Sequence, residues 1–229
     1  MECRELNNGH IDRLISVVGQ RHVLTVDDDK EPYSRDETLH QKFMPAAVVK
    51  PGNTAEVSAI MGLASAEKIP VTPRGAGTGL SGGALPVYGG IVLSLERLNR
   101  IMEIDEDNLM VVTQPAVITG QLQKAVEEKG LFYPPDPASL DSCSIGGNIA
   151  ENAGGARAFK YGVTRHYLCG LEVVWPSGMI SRLGGRNIKD VSGYDLMHLL
   201  CGSEGTLAVV TEITLRLLPK PRYQTDLLI

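Results

Sequence analysis

Residues 73–83 read Pro-Arg-Gly-Ala-Gly-Thr-Gly-Leu-Ser-Gly-Gly, and five of the eleven lack a side chain. Glycines in this number let a backbone adopt positive φ and come close to a ligand. Successive N–H groups in such a turn converge on an anion. Arg74, Thr78 and Ser81 add donor side chains. The chemistry these residues offer is a cradle for a phosphate or pyrophosphate. The bland alternative is a glycine-rich surface loop with no ligand.

The run does not match the common phosphate loops. A P-loop needs Gly-x-x-x-x-Gly-Lys-Ser/Thr, and no lysine lies here. The dinucleotide pattern G-x-G-x-x-G is met formally by Gly77, Gly79 and Gly82, but that motif must open a helix. The next stretch, Gly83-Ala84-Leu85-Pro86-Val87-Tyr88-Gly89-Gly90, is rich in helix breakers. The phosphate must then be held mainly by loop N–H groups.

Other reactive side chains form no convincing constellation. Cys3, Cys143, Cys169 and Cys201 are far apart and make no C-x-x-C pair, so buried, reduced thiols are expected rather than a metal site. His166 and His198 are the histidines near the glycine-rich second half, and hydrogen-bonded structural roles are expected for both. Arg157, Lys160 and Arg165 come after the second glycine run. They offer either a carboxylate site or a solvated basic face, with the second preferred. No general base can be placed.

The elements that must position the loop are legible in outline. Ile11, Leu14, Ile15 and Val18 recur at helical spacing. Asp27 to Glu37 reads as an exposed loop, and Ala46 to Val49 as a strand. Asn53 or Thr54 caps a helix with an apolar stripe of Val57, Ile60, Met61 and Ala64. Strands are expected at 69–72, 91–95 and 109–112. The strand–helix–strand order favours parallel pairing. Thr119 is expected to cap a helix that Gly130 stops.

Past residue 130, Tyr133-Pro134-Pro135-Asp136-Pro137 excludes helix and central strand. A second glycine-rich run spans Cys143 to Gly155. Residues 171–180 read as a hairpin, 194–200 as a short helix closed by Gly202, and 206–217 as a long strand. The expected fold class is α+β, with two lobes at about 1–130 and 131–219. Both glycine runs would face the cleft between them, and 220–229 would begin a link to a further domain.

The 229 residues suffice for a sizeable core. A net charge of −5 with no basic run argues against a nucleic-acid surface. No stretch has the length and apolarity of a transmembrane segment, and the N-terminus has no apolar signal core. A cytoplasmic protein is the default expectation.

Taken together, these blocks resemble a known family. Pro73 to Gly79 with Ser81-Gly82-Gly83 resembles the pyrophosphate loop of the vanillyl-alcohol oxidase type, or PCMH-type, FAD-binding domain. Pro134 to Ser139, Ser144 to Ile149 with Asn152 to Gly155, and Tyr161 to Thr164 agree in order and rough spacing. Gly202 to Leu207 and Val210 to Thr214 also fit. The chain looks most like the FAD-binding half of the glycolate oxidase large subunit and D-lactate dehydrogenase group. The likeness covers nearly all of it.

The resemblance implies a set of cofactor contacts. The diphosphate of FAD would lie on the backbone of Arg74, Gly75, Ala76, Gly77, Thr78 and Gly79, with Ser81 and Gly82 nearby. Pro135, Asp136 and Ser139 would line the flavin end near Ser144, Gly146 and Gly147. Asn152, Gly154, Gly155, Tyr161 and Gly162 would support the other side, and Gly205 and Ile213 the adenine or ribose end. For Asp136 and Asn152, turn-making is the competing role. Some members attach flavin through a His in the first loop; Thr78 stands here, so non-covalent FAD is implied.

The resemblance further implies oxidation of a small 2-hydroxy acid, such as glycolate or D-lactate, by hydride transfer to flavin N5. Electrons would pass to a partner such as an iron–sulfur subunit or an electron-transfer flavoprotein. The family's enzymes are about twice this length. Their C-terminal substrate domain, with most catalytic side chains, is absent here, as in an excised or truncated chain. A non-catalytic flavin-binding subunit and an ether-lipid-synthase-like FAD enzyme are the alternatives.

Overall fold

The computed structural model describes residues 4–187, 189–223 and 225. The elements in chain order are α1 (Asn8–Val18), β1 (Val23–Leu24), α2 (Asp27–Lys30), β2 (Ala47–Val49), α3 (Thr54–Glu67), β3 (Val71–Arg74), β4 (Ile91–Ser94), β5 (Ile101–Asp105) and β6 (Met110–Thr113). Then come α4 (Thr119–Glu127), β7 (Leu131–Phe132), α5 (Ile145–Glu151), α6 (Ala158–Tyr161), β8 (Leu168–Val174), β9 (Ile180–Gly184), α7 (Leu196–Leu200), β10 (Val209–Arg216) and β11 (Leu218–Pro219).

Local chemistry accounts for the two N-terminal helices. Asn7 opens α1 by accepting from the His10 amide, while His10 Nδ1 accepts from the Asn7 amide, so two orphan donors are satisfied reciprocally. Asn53, rather than Thr54, caps α3 by accepting from the Glu56 amide at 2.9 Å. Val57, Ile60, Met61 and Ala64 are buried as the stripe requires, joined by Leu63. Each large apolar side chain of this kind contributes about 1.5–3 kcal/mol when fully buried.

The first sheet has the order β1-β2-β4-β3. Strands β2 and β3 both lie parallel to β4, which separates them. The strand–helix–strand unit is therefore parallel as expected, but its two strands are not neighbours. The second sheet, β5-β6-β10-β8-β9, is antiparallel throughout. Its centre is β10, where Ile213 and Leu215 are fully buried. The two cores meet: Val174 of β8 and Val209 of β10 pack into the cluster formed by Leu14, Val57, Ile60, Ile91 and Leu93.

Several expectations change. The change of sheet falls between Ser94 and Ile101, so β5, β6 and α4, expected in a first lobe ending near 130, lie with the second sheet. The strand expected at 69–72 runs Val71–Arg74, through Pro73. Proline is tolerated there because β3 is an edge strand. Asp27 to Glu37 is not all loop; it holds α2 and a 3₁₀ turn, Glu31–Tyr33. Thr119 does not cap α4. Its hydroxyl donates to the Cys143 carbonyl and accepts from Asn148 Nδ2 at 2.6 Å. The long strand begins at Val209 rather than Thr206. Cys3 and most of the segment 224–229 lie outside the described residues.

Candidate functional site

The first glycine run leaves the end of β3 and forms one wall of an open cleft. Arg74 to Gly79 lie in that wall. Among the described residues, none of the backbone N–H groups of Gly75, Ala76, Gly77, Thr78 and Gly79 donates a hydrogen bond within the chain. Free amides in this number at a cleft wall are what an anion requires. Gly77 turns at φ 74°, and a β-carbon there would overlap the Arg74 guanidinium, so the glycine is needed for both reasons.

Arg74 is the buried cation of the site. It is 8% exposed. Its Nη2 donates to the Pro32 carbonyl at 3.3 Å, and its guanidinium lies 5.8 Å from the Tyr33 ring centroid. Nη1 is buried with no partner among the described residues. Burial holds the Arg74 pKa below its ordinary value, against the opposing charge of Asp36. A buried guanidinium with a vacant donor beside free amides fits an anionic group bound at the loop.

The second glycine run forms the opposite wall, and it is a helix. Ser144 caps α5 by accepting from the Gly147 amide. Gly146 is required because a β-carbon there would stand 2.6 Å from Pro115 Cβ. The amides of Ile145 and Gly146 donate to the carbonyls of Val117 and Pro115, and that of Asn148 to Ser144. The first turn of α5 is thus satisfied internally. The free donors belong to the loop and not to the helix.

The structure brings together many of the expected site residues. Ser139, Ser144, Gly146, Gly147 and Gly205 line the same cleft as Arg74 to Gly79. It does not bring the others to that lining. Ser81 is exposed and donates to Glu204 at 2.8 Å, with Gly82 beside it in the same turn, at φ 81°. Pro135 is buried, its carbonyl accepting from Gln123 at 2.7 Å. Asp136 accepts from the Arg157 amide at 3.0 Å and pairs with the Arg157 side chain.

Asn152 ends α5 in the left-handed conformation and accepts from the Arg165 amide. Gly154 and Gly155 lie in the turn beyond it, while Tyr161 ends α6 and Gly162 caps it. Gly155 passes so close to Asp136 that no side chain fits, and Tyr161 accepts from Tyr167 through its carbonyl. Ile213 lies in the hydrophobic core, not at the cleft. Alternation along a strand carries no signal for which face meets a cofactor.

The remaining candidates are engaged structurally. His166 Nδ1 accepts from the Val163 amide, and His198 lies between Asp195 Oδ2 and the Arg165 carbonyl. Arg157 stacks 5.3 Å from the Phe132 ring, and Arg165 donates to the carbonyls of His198 and Cys201. Asp36, Glu151 and Glu204 also line the cleft, and the sequence pattern assigns none of them a role there. Glu151 carries a usable signal, a lone carboxylate among small residues. Asp36 carries none, because it sits in a generally charged stretch.

Among the described residues, no helix is long and apolar enough to cross a membrane. No group of His, Cys, Asp or Glu among them is arranged to hold a metal ion.

Comparison with known proteins agrees with this geometry. Residues 45–184 match the model of a family described as FAD binding domain. The glycolate oxidase subunit GlcD of Bacillus subtilis is 50% identical over 217 residues, covering 95% of this chain and 46% of that protein. The D-lactate dehydrogenase of Anaerostipes hadrus is 43% identical over 213 residues, covering 93% of this chain and 45% of that protein. The chain spans about half the length of these relatives. A solved structure of p-cresol methylhydroxylase with substrate bound has a TM-score of 0.84 at 22% identity, covering 96% of this chain and 46% of that one, which shows the shared fold. FAD is therefore the cofactor of this domain, and the chain belongs to the PCMH-type family of FAD-binding domains.

Proposed function

We propose that the chain is the FAD-binding half of a flavin-dependent dehydrogenase or oxidase of small 2-hydroxy acids of the glycolate or D-lactate kind. The observation that carries this reading is the row of free amides from Gly75 to Gly79 beside the vacant donor of buried Arg74. The substrate class rests on the two curated relatives.

In this reading the loop amides and Arg74 bind the diphosphate. Ser139, Ser144, Gly146 and Gly147 line the wall along which the flavin end lies, and Gly205 the adenosine side. Ser81, Gly82, Pro135, Asp136, Asn152, Gly154, Gly155, Tyr161, Gly162 and Ile213 act by shaping the turns and core behind those walls. When bound, FAD supplies the two-electron acceptor, its N5 receiving the hydride from the α-carbon of the substrate. Thr78 offers no imidazole for covalent attachment at the loop, so the cofactor is held non-covalently. Reoxidation falls to a partner electron-acceptor protein.

Two measurements test the reading. The purified chain takes up added FAD and releases it unmodified on acid precipitation; a chain that takes up none refutes the cofactor site. Anaerobic mixing of the complete gene product with glycolate or D-lactate bleaches the flavin absorbance. Absence of bleaching across a panel of 2-hydroxy acids refutes the substrate class.

A further inference from the structure

The charge around the diphosphate seat has the wrong sign for a dianion. The ionisable side chains lining the cleft are Asp36, Glu151 and Glu204 against Arg74 alone, a formal balance of −2. Asp36 enters from the segment after the Glu31–Tyr33 turn, and its Oδ2 is buried with no partner among the described residues. Glu204 enters from the turn before β10. Its backbone amide donates to the carbonyl of Ala150, the neighbour of Glu151, and its carboxylate accepts from Ser81.

Glu151 stands closest to the loop. Its carboxylate occupies the space into which a β-carbon on Gly79 would project. Gly79 carries one of the free amides, so Glu151 and a diphosphate on the loop are direct neighbours. The Glu151 carboxyl is already pushed up in the free chain, first by partial burial and then by Glu204 and Asp36. Bound phosphate oxygens would add two more negative charges and remove water. Both changes favour the neutral carboxylic acid.

Resting on the reading of the cleft as an FAD site, we propose that Glu151 takes up a proton from solvent when the diphosphate binds at the loop, so that cofactor binding is linked to pH. The protonated carboxyl then becomes a hydrogen-bond donor facing the anion instead of a competing charge. Arg74 cannot supply this relief by titration, because a guanidinium stays charged. Asp36 lines the cleft with its charge facing Arg74. The Glu204 carboxylate accepts from the Ser81 hydroxyl and stands beside Gly83 rather than beside the free amides.

The linkage has a definite sign. A carboxyl whose pKa is higher in the complex than in the free chain makes binding weaken as pH rises between the two values, by up to about tenfold in Kd per pH unit. The test is titration of the chain with FAD, read by flavin fluorescence, from about pH 5 to about pH 8. It is joined to calorimetry in two buffers of different ionisation enthalpy, which counts protons.

Three results are expected. The wild-type Kd rises with pH, and binding takes up protons. ADP-ribose, whose internal diphosphate does not titrate in this range, shows the same dependence, whereas riboflavin, which lacks the diphosphate, does not. Glu151→Gln abolishes the uptake, flattens the pH profile and binds FAD more tightly than wild type at the alkaline end. Proton uptake that survives in Glu151→Gln, or that is lost instead in Glu204→Gln, overturns the assignment. A wild-type Kd independent of pH overturns it without any variant. A wild-type chain that binds neither FAD nor ADP-ribose refutes the cofactor site itself, a separate outcome.

Discussion

Gly75 and Ser144 meet across the cleft: a β-carbon on Gly75 would stand 2.5 Å from the Ser144 hydroxyl oxygen. The contact joins the two glycine-rich runs, which are distant in sequence, and fixes the phosphate loop against the start of α5. Gly75→Ala must therefore displace one wall, at a cost of about 1–3 kcal/mol, and must weaken FAD binding with it. Ser144→Ala alone loses the cap of α5, about 1 kcal/mol. In the double variant the obstructing oxygen is gone, so the combined loss is smaller than the sum of the two. Urea unfolding of the four chains measures this, and strict additivity would show that the two walls do not press on each other.

Arg74→Met tests binding and stability at one residue. The guanidinium donates to the Pro32 carbonyl and faces the charge of buried Asp36, so removing it leaves both without their partner and costs the free chain about 1–3 kcal/mol. The melting temperature without FAD is expected to fall. The same substitution removes a charge-assisted hydrogen bond to the diphosphate, about 1.5–3 kcal/mol, so FAD affinity falls by roughly 10- to 100-fold. Thermal melting and fluorescence titration on the same preparation check both halves. Unchanged affinity would remove Arg74 from the site.

Legibility in the sequence depends on physical range. The α3 helix is legible because its cap, Asn53, and its apolar stripe lie within a few turns of each other. The loop at 73–83 is legible because its glycines and donors are contiguous. Strand β5 escapes: Ile101 to Asp105 is an edge strand with Met102 and Glu103 exposed, so it lacks the alternation of a half-buried strand. The helix α5 is hidden by Gly146 and Gly147, poor helix formers, the first of which tertiary contact with Pro115 demands. The placing of β10 between β6 and β8 depends on pairing Ile213 with Thr113, partners too distant for any local window to contain. That long-range pairing also puts Ile213 in the core rather than at the cofactor.

Glu172 on β8 ties α3 to the second sheet through a carboxylate, and this makes part of the stability depend on pH. It accepts from Thr54 of α3 at 2.7 Å, from Thr211 of β10 at 3.0 Å and from Arg182 of β9 at 2.9 Å. Burial alone would raise its pKa. The hydrogen bonds from Thr54, Thr211 and Arg182 outweigh that and hold it below the ordinary 4.5. A carboxyl depressed on folding stabilises the native state above the unfolded pKa and loses that contribution as pH falls through the folded one. Glu172→Gln is therefore expected to cost about 1–3 kcal/mol near neutral pH, and the difference from wild type should narrow at about pH 3, as the pH falls below the ordinary carboxyl range. Arg182 is largely exposed, so most of the effect resides in the two threonine bonds. High salt should then leave the neutral-pH difference nearly intact. Urea unfolding at the two pH values, with and without salt, measures it; a gap of equal size at both pH values would show that Glu172 acts through shape rather than charge.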